Sequence, residues 1–431
     1  MEALATLAIF FSLAVAVCAQ QRAPEERVTE LERKLAQATR RIEQLAGAVE
    51  ALRAEVSRLN GGQPDEGEAK ASQPVTAASS QSDSGDPAAV FVERIVEPEL
   101  GGSERAETLR ARPEVFVQAR YSALPVRDAG AEFEPNLSLT RIETRWAGRV
   151  SERLGAGVEI QFHPALDGSP EELVNDAFIE YYLNNHTTVR VGQFVKPFGF
   201  DIQQSSAVRE SPERAVFAGY FFPGQRDRGV LLSGDLRFLK VAALRDVQYF
   251  VGAFGGNRFF TDNNRRLNYL ARVRKVWGRR FAAGLSAQAG KQLLPPGAGG
   301  DNNENIFGVD FQYAVMGRLG LRGEFAAGNT PATLLGIEPE LAPAFRPGAH
   351  STGGHLYAGY SLTDRDNLYA RYDQLNGDPV TGQNVRAFNF GFFRQVGGQS
   401  RLGFDYQFKN RASFNDDAVN GRLNVTWGVE F

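Results

Sequence analysis

The sequence predicts an all-β protein, and three observations support that fold class. After Arg112, extended runs of about nine residues recur at roughly twenty-residue intervals between turns rich in Gly, Asn, Asp and Pro. Many of these runs alternate apolar and polar residues, as a strand with two different faces does. The chain also holds 31 Phe and 45 Gly but two Met, which favours strands and tight turns over a helical core. About sixteen strands fit into residues 112–431, which predicts a transmembrane antiparallel β-barrel.

The first 19 residues have the composition of a secretory signal peptide. An uncharged apolar run at residues 4–17 is too short to span a membrane as a helix, and small residues follow it for cleavage after Ala19. The start of the chain carries Glu2 but no Lys or Arg, and Cys18 leaves lipidation open as an alternative. Because Cys18 is the only cysteine, the mature chain is expected to have no disulfide.

Residues 25–60 are predicted to form an N-terminal α-helical coiled coil. From Val28 to Leu59 the apolar positions follow steps of three and four without exception. The a positions of the heptad are mostly β-branched and the d positions are mostly Leu, a pattern that is compatible with a dimer or a trimer. Gly61 and Gly62 would end the helix. Residues 61–111 are predicted to be a flexible linker. For residues 91–111, a short plug or a periplasmic segment is the alternative.

The C-terminal run supports closure of a barrel. Its apolar face consists of Leu423, Val425, Trp427, Val429 and Phe431, and its other face of Asn424, Thr426, Gly428 and Glu430. A strand that stops on an aromatic residue resembles the closing strand of bacterial outer-membrane barrels, so we expect the barrel assembly machinery to recognise Phe431. Further aromatic residues near strand ends would form interfacial girdles: Trp146, Tyr181, Trp277, Tyr357, Tyr372 and Trp427. A soluble β-sandwich or jelly roll is the alternative fold.

Two phrases within residues 189–230 are the most distinctive motifs of the barrel region. Gly-Gln-Phe-Val-Lys-Pro-Phe-Gly occupies residues 192–199, and Gly-Gln-Arg-Asp-Arg-Gly-Val occupies residues 224–230. Here the chain resembles the phosphate-selective porin O and P family, in which a strand with a similar ending precedes a long loop and a similar strand start. The resemblance implies a sixteen-stranded channel that forms a homotrimer, in some members with an N-terminal coiled coil.

The segment between these motifs, from Lys196 to Gln225, is too long for a hairpin turn. In a barrel that encloses a channel, such a loop can fold inward and narrow the pore. The candidate pore-lining, anion-binding residues in and beside this loop are Lys196, Arg209, Arg214, Arg226 and Arg228. Strand alternation adds candidates on polar faces: Arg141, Arg145, Arg149, Arg190, Arg272 and Arg274. Arg318, Arg322, Arg371 and Arg401 also fall on polar faces. Carboxylates share these faces, so arginines paired as scaffolding are the open alternative to an anion-attracting wall.

Together these features predict an outer-membrane porin of a Gram-negative-type bacterium, with its coiled coil in the periplasm. It would be a passive, water-filled channel for small solutes, with anions such as phosphate preferred. Two alternatives stay open: a structural protein that tethers the envelope through its coiled coil, and a carbohydrate-selective porin. The expected partners are outer-membrane lipid, small anionic solutes, the barrel assembly machinery and further copies of the chain.

Other classes of function lack support in the sequence. There is no Gly-rich phosphate loop followed by a helix and no nucleophile elbow, so no enzyme is predicted. The four histidines lack the spacing of a helical zinc pair, so neither a metal nor a cofactor is predicted. A formal net charge of −3 gives no reason to predict nucleic-acid binding.

Overall fold

The computed structural model describes residues 114–125, 133–162, 174–256, 265–294, 301–332, 346–377, 384–397, 400–409 and 421–430. The predicted signal peptide, coiled coil and linker, together with Phe431, lie outside these residues. Within the described residues no helix is long and apolar enough to cross a membrane.

The described part of the chain consists almost entirely of strands. The strands are β1 Glu114–Pro125, β2 Phe133–Arg149, β3 Leu154–Gln161, β4 Val174–Asn184, β5 Thr187–Val195, β6 Arg226–Asp235, β7 Val247–Phe254, β8 Asn268–Trp277, β9 Phe281–Ala289, β10 Lys291–Leu293, β11 Asp301–Asn303, β12 Ile306–Met316, β13 Leu319–Asn329, β14 His350–Ser361, β15 Asp366–Asn376, β16 Asn384–Gly397, β17 Ser400–Lys409 and β18 Gly421–Glu430. One short helix, α1 Val216–Phe221, lies between β5 and β6.

Sixteen of these strands form a closed antiparallel barrel. Each pairs with its neighbours in the chain, except that β9 pairs directly with β12 while β10 and β11 form a separate hairpin. The ring closes where β18 pairs with β1, with Trp427 opposite Ala119. The predicted fold class and strand number of the barrel are therefore confirmed.

Alternation along the strands separates an apolar outer face from an inner face that is polar except where apolar side chains pack against the connection between β5 and β6. On β18, Trp427 is 57% exposed on the outside, whereas its neighbour Thr426 is 7% exposed and faces inward. A β-bulge at Thr140 shifts β2, because Gln118 pairs with Arg141 while Ala119 pairs with Leu139. Odd-numbered residues of β2 consequently face outward before the bulge and inward after it.

The girdle expectation fails at one aromatic residue. Tyr357 is buried, whereas the preceding Leu356 is 59% exposed on the outer face of β14. Tyr357 therefore points into the lumen, where its ring stacks on that of Tyr369 with centroids 5.6 Å apart. The prediction that Tyr357 lies at the membrane interface is wrong because alternation along β14 places it inside.

The two ends of the barrel differ in the length of their connections. The turns at residues 150–153, 185–186, 278–280, 317–318 and 362–365 are short and lie at one end. Short turns are periplasmic in outer-membrane barrels. The long connection between β5 and β6 therefore starts and ends at the extracellular side, and its path decides the shape of the lumen.

Candidate functional site

The connection between β5 and β6, residues 196–225, crosses the interior of the barrel and is called the constriction loop below. On one side its Gly199 amide donates to Ser286 Oγ of β9 at 3.1 Å. On the other side its Glu213 carboxylate pairs with Arg120 of β1. Because β9 and β1 are eight positions apart in the sixteen-strand ring, a loop that contacts both must span the lumen. The inward folding that the sequence allowed is therefore what the structure shows.

A carboxylate of β13 fixes the start of the loop. Glu324 Oε2 accepts hydrogen bonds from the amides of Phe200 at 3.1 Å and Asp201 at 2.9 Å. Gly199 has a φ of +54°, and an added Cβ would lie 1.5 Å from Glu324 Oε1. Only glycine suits this position, because the backbone is left-handed and the carboxylate fills the space of a side chain.

Ser286 joins this anchor to a buried ion pair. Arg272 Nη1 donates to Ser286 Oγ at 2.8 Å and to Asp310 Oδ2 at 2.5 Å, and Arg272 Nη2 donates to Asp310 Oδ1 at 3.1 Å. The bidentate geometry fixes both side chains. Arg272, predicted as a pore-lining candidate, thus supports the seat of the constriction loop.

Aromatic packing attaches the rest of the loop to one side of the barrel. The loop side chains in this buried cluster are Phe198, Ile202, Phe217, Tyr220, Phe221 and Phe222, and their partners on inward strand faces include Leu231, Phe250, Phe254, Leu270, Ile306 and Leu375. Each large apolar side chain removed from water contributes roughly 1.5–3 kcal/mol. Tyr220 satisfies its hydroxyl against Ser351 Oγ of β14 at 2.8 Å.

Arginines hold the backbone of the loop where it turns back across the lumen. Arg371 of β15 donates to the carbonyl oxygens of Glu213 at 2.8 Å and Arg214 at 3.3 Å. Arg209 donates to the carbonyl oxygens of Ser211 at 3.1 Å and Pro212 at 2.9 Å. The predicted candidate Arg209 is 3% exposed, so it is buried within the loop and stabilises the conformation of the loop backbone.

Glu213 projects from this fixed backbone toward the opposite wall. Its carboxylate contacts Arg120 and lies 3.6 Å from Arg141 Nη2, and 46% of its side chain is exposed. Burial raises the pKa of Glu213, but the charges of Arg141 and Arg120 outweigh this effect and hold it below the usual range. The loop thus offers one ionised carboxylate to two guanidinium groups beside open space.

The inward strand faces divide into a region against which the loop packs and a region that it leaves uncovered. The packed wall comprises β6–β9 and β12–β15, on which the loop rests, and the open wall comprises β2–β5. The open wall carries Arg141, Glu143, Glu159, Glu180 and Arg190, whose side chains are 14–20% exposed. Arg145 and Arg149 share the same inward alternation on β2, and Arg149 lies over the Tyr182 ring at 4.2 Å.

The open wall contains the predicted candidates Arg190 and Arg226 as members of ion pairs. Arg190 Nη2 lies 2.6 Å from Glu180 Oε1. Arg226 enters the wall from the start of β6 and bonds both Asp176 and Glu159 at 2.7 Å. Scaffolding by ion pairs, the alternative to an anion-attracting wall, therefore describes these two arginines.

Other predicted candidates lie away from the open wall. Lys196 is 6% exposed, and its Nζ lies 5.1 Å from the centroid of the Phe222 ring within the aromatic cluster. Arg274 is buried on the packed wall against Gln248 Oε1 at 3.0 Å. Arg228 is exposed on the same outward face of β6 as Val230, so the constriction does not contain it. Arg214 lies in the loop, where Nη2 donates to the Gln204 carbonyl oxygen at 2.8 Å.

Three further arginines belong to the site: Arg120 was not among the predicted residues, whereas Arg322 and Arg371 were predicted to lie on polar faces. Arg120, Arg322 and Arg371 all contact the loop, and Arg322 Nη2 lies 2.8 Å from Glu210 Oε2. Alternation along β1 could have revealed Arg120, since it shares an inward face with Phe116 and Gln118. The anchoring role of Glu324 had no local signal, because its partners lie more than a hundred residues away.

Comparison with known proteins gives one family match and a set of similar folds. The model of the phosphate-selective porin O and P family matches residues 138–236, which run from β2 through the constriction loop to the end of β6. The search of curated proteins found no match.

Solved structures of similar fold are outer-membrane proteins. The outer membrane channel DcaP of Acinetobacter baumannii has 14% identity and a TM-score of 0.55, over 77% of this chain and 100% of that one. OmpF of Salmonella typhi, in a complex with daunomycin, has 12% identity and a TM-score of 0.53, over 74% and 97%. The trimer form of OmpT of Vibrio cholerae has 12% identity and a TM-score of 0.50, over 74% and 99%.

At 12–14% identity, the similarity to these solved structures shows the fold alone. The match to the family model depends on the amino-acid sequence of residues 138–236. The predicted resemblance is therefore confirmed over residues 138–236, which match the model of the phosphate-selective porin O and P family, and the chain has a closed barrel similar to those of outer-membrane channels.

Proposed function

We propose that this chain forms a passive, water-filled channel for small solutes and that it prefers anions, phosphate among them. The observation that carries the proposal is the one-sided packing of the constriction loop. The loop narrows the lumen but leaves the charged side chains of the open wall partly exposed. Solutes would pass between Glu213 and this wall, driven by their own concentration gradient.

The proposed anion preference rests on the arginines that do not form a one-to-one ion pair with a carboxylate. Arg120 and Arg141 both contact the carboxylate of Glu213, Arg141 also lies 3.9 Å from Glu143, and Arg149 adds positive charge farther along the open wall. Burial lowers the pKa of Arg214 only to about 10, so this guanidinium also stays charged at neutral pH. In a narrow passage such an excess attracts anions and repels cations.

Assembly is part of the same proposal. A homotrimer is supported by the trimer form of the similar OmpT barrel. The cleaved signal peptide, the periplasmic coiled coil and the recognition of Phe431 by the assembly machinery are supported by the sequence patterns described above. Truncation of Phe431 is expected to hinder insertion, and a heat-modifiable barrel that forms normally without it would contradict this part.

The reversal potential of the purified channel in a potassium chloride gradient tests the anion preference. We expect a sign that corresponds to chloride selectivity, and cation selectivity would overturn the proposal. Glu213→Gln should raise the chloride preference because Arg120 and Arg141 lose their shared counter-charge. Glu180→Gln removes one charge from the same lumen and is the matched control, for which we expect a smaller shift.

A further inference from the structure

The turn between β6 and β7, residues 236–246, differs from the other described turns at the periplasmic end and is called the ledge below. It is longer than they are and contains two short 3-10 turns, Arg237–Leu239 and Ala242–Leu244. It exposes Phe238 by 50%, Leu239 by 47% and Val241 by 49%. Apolar side chains grouped in this way on a turn need a partner that excludes water.

The ledge leans over the outer, lipid-facing side of the barrel. Lys275 shares the outward face of β8 with Val273 and Trp277, which are 50% and 46% exposed. Its Nζ donates to the carbonyl oxygen of Ala243 at 2.8 Å and lies 5.1 Å from the Trp277 ring centroid. A bond from an outward-facing lysine to the ledge places that part of the ledge against the outside of the sheet.

The other end of the ledge is held by the turn between β4 and β5. His186 Nδ1 lies 2.8 Å from Asp235 Oδ1, and its ring centroid is 6.4 Å from that of Phe238. Arg237 Nε lies 3.2 Å from Asp235 Oδ2. The exposed apolar side chains therefore project from a segment that is fixed at both ends.

Positive charge surrounds these apolar side chains. The cations of the ledge and of the adjoining end of β8 are Arg237, Lys240, Arg245 and Lys275, against the two carboxylates Asp235 and Asp246. Asp235 already pairs with Arg237 and His186. The resulting excess of positive charge favours an anionic partner at this surface.

An aromatic band continues from the ledge along the same rim. The Trp277 and Phe281 ring centroids lie 5.2 Å apart, and those of Phe281 and Tyr313 lie 6.1 Å apart. Aromatic girdles of this kind mark the level of the lipid headgroups. The ledge thus lies where phosphate groups and acyl chains meet.

We propose that the ledge binds anionic phospholipid of the periplasmic leaflet. Phe238, Leu239 and Val241 insert between the acyl chains, while the surrounding cations bind the headgroup phosphates. A zwitterionic lipid satisfies the apolar side chains equally well but leaves the excess of positive charge unmatched. The ledge should therefore discriminate by headgroup charge. This binding is independent of the solute that the channel conducts.

Native mass spectrometry of the full chain, refolded with equal amounts of phosphatidylglycerol and phosphatidylcholine, tests the proposal. We expect preferential retention of phosphatidylglycerol. In the triple variant Arg237→Gln, Lys240→Gln, Arg245→Gln this retention should fall about tenfold or more, since each cation near a lipid surface contributes on the order of 1 kcal/mol.

The matched control removes three arginines from other periplasmic turns, Arg153→Gln, Arg318→Gln and Arg365→Gln, all of which are exposed. It should retain phosphatidylglycerol nearly as the unmodified chain does. Equal losses in both triple variants would overturn the proposal, as would equal retention of the two lipids by the unmodified chain. Phe238→Ser should reduce retention of both lipids alike, and unchanged retention would contradict the insertion of its ring.

Discussion

The packed wall and the open wall of the lumen use the same residue types under different conditions. On the packed wall, the Arg272 and Asp310 side chains are 1% and 3% exposed. On the open wall, the Arg190 and Glu180 side chains are 20% and 15% exposed. A buried pair holds the structure because neither member can be lost without leaving a charge out of water. A hydrated pair contributes little to stability, but its field reaches the passage.

The inward faces of the strands explain why the constriction loop rests on one wall. β6 to β8 direct Leu231, Phe250, Phe254 and Leu270 into the lumen, where they pack against the aromatic side chains of the loop. Phe178 of β4 and Phe194 of β5 also face this cluster, whereas other inward positions of β2 to β5 carry arginine and glutamate. Burial of the apolar loop side chains against the apolar faces of β6 to β8 lowers the free energy more than contact with charged side chains would. The charged inward side chains of β2 to β5 therefore stay in contact with water.

The largest expected difference between the walls is in stability. Arg272→Gln leaves Asp310 buried without its partner and unseats Ser286, so we expect the free energy of unfolding to fall by about 3–5 kcal/mol. Arg190→Gln breaks a partly exposed pair and the contacts of Arg190 with the Phe178 and Phe194 rings, and should cost about 1–2 kcal/mol. Urea unfolding in lipid, followed by tryptophan fluorescence, measures both. Equal losses of unfolding free energy in the two variants would contradict the difference between the packed wall and the open wall.

The seat of the loop gives a second, somewhat smaller effect. Gly199→Ala forces a Cβ against Glu324 Oε1 in a left-handed backbone, which should cost about 2–4 kcal/mol and release the start of the loop. Single-channel conductance should increase as the loop leaves the lumen. Gly219→Ala in α1 is the matched control, because its Cβ would meet nothing within 4 Å. A Gly199→Ala channel with unchanged conductance would show that the loop does not limit the passage.

The pH dependence of stability should also come from the packed wall. Burial raises the pKa of Glu304, which precedes β12, from 4.5 to about 7, although Lys196 opposes the shift. Between these values the unfolded chain releases a proton that the folded chain retains, so stability falls as pH rises through this window. We expect a loss of about 2–3 kcal/mol from pH 4.5 to pH 7.

Glu304→Gln should make the slope in the free energy of unfolding shallower by this amount, measured by urea titration at several pH values. Glu213→Gln at the edge of the open wall is the comparison. The pKa of Glu213 already lies below its usual range, so this variant should leave the slope between pH 4.5 and pH 7 unchanged. A slope that is unchanged in Glu304→Gln would assign the titration to other groups.

Local patterns in the sequence predict the barrel well and the site only in part. Alternation with period two identifies the strands and places Arg141, Arg190 and Arg272 on inward faces, because each side chain follows from its own strand. The same alternation cannot tell the two walls apart, since their difference depends on where a distant loop packs. Gly199 and Glu324 illustrate the limit: their contact joins residues 125 positions apart, and neither residue type signals it locally.

Cysteine accessibility most directly tests the claim that the passage runs along the open wall. Cys18 is the only cysteine and lies in the predicted signal peptide, so single cysteines can be placed in an otherwise thiol-free mature chain. Gln161 on the open wall and Gln312 on the packed wall both face inward, and Gln312 is 3% exposed. A charged methanethiosulfonate reagent should change the current of Gln161→Cys promptly and leave that of Gln312→Cys unaltered. Equally fast modification of Gln312→Cys would contradict the account.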